Sequence, residues 1–157
     1  MVYLIPAPGL LTALLLALID IRSRRVPRLL VIFGLVIQAV TLLVFSLIRA
    51  QPMLLAQCLL LALASAGLQL LLALVRPGAL GLGDVTATSL VALSLAVFGW
   101  TTILVWWLMM GLMGLIALAL VWMTRRHGPA RTNNPLSLAY VPVILAAAVA
   151  ALIIDAV

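Results

Sequence analysis

The chain has 157 residues, of which 68% are hydrophobic and 8% are charged, and its mean hydropathy is +1.41. A soluble domain would be about a quarter charged, so this composition excludes an ordinary soluble protein and predicts an integral membrane protein. The net charge of +6 comes from nine arginines without any lysine. A single cysteine, Cys58, excludes an intrachain disulfide and a cysteine-based zinc site.

Six apolar segments follow one another along the chain, and leucine and alanine dominate them without strand-like alternation. Because a helix needs about 20 residues to cross a bilayer, we predict an all-α bundle of six transmembrane helices. The charge-free run from Val85 to Met123 is too long for one span, and we divide it at Gly99-Trp100-Thr101-Thr102. The predicted spans are 3–19, 29–48, 53–75, two segments within 85–123, and 138–154, all in one domain over residues 1–157.

The arginines support this count of spans. With six spans, eight arginines fall in loops on one side and only Arg49 falls on the other. Positive charge in short loops faces the cytoplasm, so both termini are predicted outside. The eight cytoplasmic arginines are Arg22, Arg24, Arg25, Arg28, Arg76, Arg125, Arg126 and Arg131.

Two of the three acidic residues lie at the ends of apolar runs. Asp20 closes the first run and is expected to start a loop, Asp84 opens the fourth, and Asp155 lies near the C-terminus. A carboxylate at the centre of a membrane costs about 3 kcal/mol on insertion scales, so such residues are functional candidates by default. Two intervening spans place Asp20 and Asp84 at the same cytoplasmic depth, where helix packing could bring them together.

Paired carboxyls that share one proton are suited to hydrolysis by general acid–base chemistry, without a metal or another cofactor. Gly81 and Gly83 would shape this site, because they let another chain approach the backbone closely. Each aspartate alone has a simpler explanation: Asp20 could be an interfacial residue and Asp84 a helix cap. Their matched depth and the scarcity of other acidic residues favour a functional role for the two aspartates as a pair.

Small and aromatic residues of the fifth predicted span have a structural interpretation. Gly111 and Gly114 are expected to permit close helix contact, and Trp106 and Trp107 to face lipid or pack against other helices.

Three segments resemble, in order, the motifs of the type IV prepilin peptidase family, the membrane aspartyl proteases of the Gly-x-Gly-Asp class. The first is Leu18-Ile-Asp20-Ile-Arg-Ser-Arg-Arg-Val-Pro27 and the second is Gly81-Leu-Gly-Asp84-Val85. The third, Ala139-Tyr140-Val-Pro142-Val-Ile-Leu145, is similar to the Pro-Phe-Gly-Pro element that enters the last span of the family.

The resemblance implies that Asp20 and Asp84 are catalytic and that Pro27 and Pro142 help to shape the site. It implies an endopeptidase that removes the basic leader of prepilin-like proteins at the cytoplasmic face of a prokaryotic plasma membrane. The implied partners are that substrate and the lipid bilayer, without nucleic acid. The chain has no segment with paired cysteines, so it resembles the short forms that do not methylate their product.

The chain departs from the family pattern at four positions in or near these motifs. Arg28 stands where the family usually has asparagine, and Thr86 stands where it usually has lysine. In the third motif, Ala139 and Val141 replace a proline and a glycine. The alternatives are therefore a non-catalytic membrane protein that binds prepilins during pilus assembly and, ranked lower, a transporter that relays protons through the aspartates.

Overall fold

Six α-helices make up the structure, a computed structural model that describes residues 2–23, 26–75, 81–126 and 140–156. The helices are α1 (Ala7–Ser23), α2 (Arg28–Ile48), α3 (Pro52–Val75), α4 (Leu82–Leu95), α5 (Trp100–Arg126) and α6 (Val141–Asp155). Short 3₁₀ turns cover Val2–Leu4 and Ala96–Phe98, and the described residues contain no strand. The predicted all-α class is confirmed.

Three helices are long and apolar enough to cross a bilayer: α2, α3 and the part of α5 from Trp100 to Leu120. These three helices are compatible with the predicted integral membrane protein. The remaining helices are shorter, with 17 residues in α1, 14 in α4 and 15 in α6. The count of six spans and the orientation of the termini therefore stay predictions.

The predicted break between the fourth and fifth segments is present. Gly99 has φ +101°, a left-handed conformation that suits glycine, and Trp100 begins α5 directly after it. Two predicted helix ends were wrong: α1 continues past Asp20 to Ser23, and α5 continues past Met123 to Arg126. Residues 24–25, 76–80 and 127–139 lie outside the described part of the chain, so the predictions made for them stay predictions.

The short helices pack together in the middle of the bundle. Helices α1, α4 and α6 contact one another; α2 packs on α1 and α4, α3 packs on α4, and α5 packs on α6. Every residue from Leu90 to Ala96 is buried, so the second half of α4 is covered on all sides. The three longer helices thus pack against a trio that carries Asp20, Asp84 and most of the third sequence motif.

Polar contacts tie the helices together away from the aspartates. The indole Nε1 of Trp106 donates to the Ile144 carbonyl (3.1 Å), which joins α5 to α6 in the core. At the end of α6, the Thr102 hydroxyl donates to Oδ1 of Asp155 (2.7 Å). Trp106 is therefore a packing residue, and the third acid of the chain has a structural partner.

Gln38 of α2 joins two elements through a completely buried side chain. Its Oε1 accepts the N–H of Gly9 (2.9 Å), and its Nε2 donates to the carbonyl of Ile5 (3.2 Å). The first N–H groups of a helix have no partner within it. Gln38 therefore caps the start of α1 from a neighbouring helix.

We predict that Gln38→Leu lowers the free energy of unfolding by about 1–3 kcal/mol, because it leaves a buried N–H and a buried carbonyl unpaired. Gln57→Leu is the matched control, since Gln57 is exposed on α3. Thermal unfolding of the purified protein in detergent measures both. Equal midpoints for the two variants would contradict the capping role.

Candidate active site

Asp20 lies in the last turn of α1 and is only 6% exposed. Its Oδ2 accepts a long hydrogen bond (3.4 Å) from the backbone N–H of Val141, the first residue of α6. A helix N-terminus offers unpaired N–H groups and the positive end of the helix dipole. The start of the last helix thus supplies the partner that permits a carboxyl group inside α1.

Asp84 occupies the first turn of α4, where it caps its own helix. Its Oδ2 accepts the N–H of Gly81 (2.9 Å), and its own N–H donates to the Gly81 carbonyl (3.0 Å). The N-cap position itself belongs to Gly81, so Asp84 is not the N-cap residue considered for it alone but the third residue of α4, whose side chain reaches back to the cap. This contact does not exclude a second role, because the side chain is half-buried and a carboxyl group has a second oxygen.

Asp20 and Asp84 lie on two helices, α1 and α4, that pack directly against each other. Among the described side chains, no basic group forms an ion pair with either aspartate. The structure therefore brings Asp20 and Asp84 into one region, at the junction of α1, α4 and α6.

Gly83 is the position where the first two motifs touch. A Cβ added to Gly83 would lie 2.8 Å from both Cβ and Cγ2 of Val26, a distance at which something must shift. Val26 lies two residues before α2, and the close approach holds the chain after Asp20 against the start of α4. At Gly81, by contrast, the atom nearest to an added Cβ would be Oδ2 of Asp84 at 3.6 Å, which is an ordinary van der Waals distance.

The two motif prolines mark helix starts beside the site. Pro27 precedes α2, and its carbonyl accepts the N–H groups of Leu30 (3.1 Å) and Val31 (3.3 Å). Pro142 is the second residue of α6 and lacks an N–H. The Val141 N–H just before it is the group that reaches Asp20, so Pro142 helps to define which backbone donor faces the site.

Tyr140 is a neighbour of the site to which the sequence analysis gave no role, although it lies in the third motif. It immediately precedes α6 and is half-buried. Its hydroxyl end lies beside Gly114 of α5, where an added Cβ would be 3.4 Å from the Tyr140 Oη. No sequence signal identified the Val141 N–H, because a backbone group carries no residue signature.

An apolar groove of about 730 Å³ opens beside Gly83, between α2 and the start of α4. Its walls include Val31, Leu35, Leu70 and Leu82, and Arg28 lies among the lining residues. The volume is within the range of ligand-binding clefts in proteins. A largely apolar segment of a partner would fit its walls.

Comparisons of the chain with protein-family models, with curated proteins and with solved structures find no match. The described residues also contain no group of three His, Cys, Asp or Glu side chains that could hold a metal ion. The resemblance to prepilin peptidases thus rests on the three motifs, and the function that it implies is a proposal.

We predict that Gly83→Ala lowers the free energy of unfolding by about 1–3 kcal/mol, because the new methyl group overlaps Val26. Gly81→Ala is the control: it also precedes Asp84, but its methyl group would meet only ordinary contacts. Alanine is favoured over glycine within a helix by about 1 kcal/mol. A Gly83→Ala protein that unfolds at or above the wild-type temperature in detergent would show that the close approach to Val26 is absent.

Proposed function

We propose that the protein is an aspartic endopeptidase that removes the leader peptide of prepilin-like proteins at the cytoplasmic face of the membrane. The observation that supports the proposal is that Asp20 and Asp84, from two separate sequence motifs, lie on two helices that pack against each other. Carboxyl groups that come close together do not both ionise readily and tend to share one proton.

The reaction then needs only water and the substrate. The ionised member of the pair takes a proton from a water molecule, which attacks the carbonyl carbon of the scissile peptide bond. The protonated member polarises the carbonyl oxygen and supplies its proton to it. Collapse of the tetrahedral intermediate breaks the carbon–nitrogen bond, with proton transfer to the leaving amine, and restores the shared proton.

The groove beside Gly83 supports the substrate class. The groove has apolar walls that lead to the start of α4, and an apolar stretch of a prepilin-like substrate would pack against them. The polar peptide bond would then lie near the carboxyl pair while the apolar segment occupies the groove.

We expect Asp20→Asn and Asp84→Asn each to lower cleavage of a prepilin-like substrate with a basic leader by at least about 100-fold, because each removes one partner of the acid–base pair. Asp155→Asn is the matched control, since Asp155 is the third aspartate and its partner is Thr102 rather than the pair. The assay is the appearance of the shortened product with purified protein in detergent or liposomes.

Each outcome of this assay has a meaning. Cleavage at the wild-type rate by either pair variant would refute the acid–base mechanism. Binding of the substrate by wild-type protein without any shortened product would favour a non-catalytic role in pilus assembly. Circular dichroism of the variants shows whether the helices are retained.

The groove gives a separate prediction. Leu35→Trp places a larger side chain into the groove and should raise KM several-fold with little change in kcat. Val36→Trp is the control, because Val36 is the next residue of α2 but is 56% exposed and does not line the groove. Equal KM values for both variants would show that the substrate binds elsewhere.

A further inference from the structure

Two buried side chains, one on α3 and one on α4, carry polar atoms without hydrogen-bond partners. Among the residues that the structure describes, neither the Oε1 and Nε2 of Gln69 nor the hydroxyl of Thr88 has a partner. Gln69 is 1% exposed and Thr88 is 0% exposed. Buried polar atoms are rarely left unpaired because this is costly. Three such atoms in two side chains point to a further group that binds them.

The other buried polar side chains of these two helices do have partners. Ser65 of α3 accepts an indole N–H from α5 (3.3 Å), and the Ser94 hydroxyl of α4 donates to the carbonyl four residues earlier (2.9 Å). Thr12 of α1 makes the same kind of bond to its own helix (2.9 Å). A helical threonine can generally satisfy its hydroxyl in this way, but Thr88 does not.

The register of α3 and α4 places the two unpaired side chains at the same level. These helices follow one another along the chain and pack together. Gln69 lies six residues before the end of α3 at Val75, and Thr88 lies six residues after the start of α4 at Leu82. Each is therefore about 9 Å from the end of its helix that adjoins the connection. The Gln69 amide and the Thr88 hydroxyl are thus expected on opposite sides of one interface.

The unpaired atoms restrict what the bound group can be. An amide Nε2 only donates hydrogen bonds, an amide Oε1 only accepts them, and a hydroxyl does both. A cation would suit the two oxygens but not Nε2, and an anion would suit Nε2 but not Oε1. One direct bond between Gln69 and Thr88 would still leave one amide atom unpaired. A water molecule donates and accepts, and its size suits atoms that are fully enclosed.

We infer that Gln69 and Thr88 bind an internal water molecule between α3 and α4. Asp84 and Thr88 are four residues apart in α4, so their side chains leave the same face of that helix. The water site is then one helical turn deeper in the bundle than the carboxyl group. Hydrolysis consumes one water molecule for each bond cut, and this site holds one near the reacting groups. Gln69 and Thr88 thereby act as positioning residues for water, a role that rests on the proposed function, whereas the site itself does not.

The first test measures stability and needs no substrate. Gln69→Leu and Thr88→Val each remove one side of the site with little change in volume. Each should lower the thermal midpoint in detergent by about 2–4 °C, because the water and the remaining side chain lose a partner, and the double variant should lose less than the sum. Gln57→Leu and Thr101→Val are the control pair, since both residues are exposed and their effects should add. Single variants that raise the midpoint, or additive effects at Gln69 and Thr88, would overturn the inference, because replacing an atom that binds nothing is neutral or stabilising.

The second test detects the water directly. Magnetic relaxation dispersion of the water oxygen nucleus counts water molecules that stay inside a protein. Wild-type protein should hold one more such molecule than the Gln69→Leu/Thr88→Val double variant, and the Gln57→Leu/Thr101→Val double variant should match wild type. Equal counts in wild-type protein and in the Gln69→Leu/Thr88→Val variant would overturn the inference.

The third test uses the cleavage assay. Thr88→Val should lower kcat several-fold with little change in KM, because the water is used in the chemical step and not in substrate binding. Thr101→Val should match wild type. Equal kcat values for these two variants would overturn the positioning role of the site, while absence of cleavage by wild-type protein would count against the proposed function alone.

Discussion

A buried carboxyl group needs a partner, and in this protein the requirement connects the two ends of the chain. Asp20 in the first helix is almost completely buried, and the N–H that faces it belongs to the first residue of the last helix. A carboxylate removed from water without compensating hydrogen bonds costs a large amount of free energy. Asp20 can therefore be buried at this position only while α6 packs against α1 and α4.

The same logic explains the arrangement of the other polar groups. Gln38 satisfies the backbone at the start of α1, and Trp106 donates to a carbonyl of α6. Both contacts join helices that carry polar residues of the site to helices that surround them. In contrast, the hydroxyl of Thr88 and the amide of Gln69 are buried without a hydrogen-bond partner. Thr88 lies one helical turn after Asp84, so the unpaired hydroxyl is close to the site along α4.

The sequence predicted those features that depend on residue type and spacing. The helical class and the break at Gly99 follow from hydropathy and from the position of the glycine in a long apolar run. An aspartate after an apolar run predicts the start of a loop, but α1 continues past Asp20 to Ser23. The Val141 N–H, from a distant segment of the chain, compensates the buried carboxyl of Asp20. Neither that N–H nor the contact of the Tyr140 ring with Gly114 has a signature in the local sequence, since both depend on tertiary packing.

The position of Gly114 along α5 has a consequence for the depth of the carboxyl pair. The charge-free part of α5 extends to Met123, nine residues beyond Gly114, which is about 13 Å along a helix. With that part spanning the bilayer, the carboxyl pair is recessed below the lipid surface. Short helices beside longer ones favour local thinning of the bilayer, and such a depression would admit water. Under the proposed function, the bond to be cut would have to reach this depth, so the distance between that bond and the part of the substrate held in the membrane would become a criterion for selection.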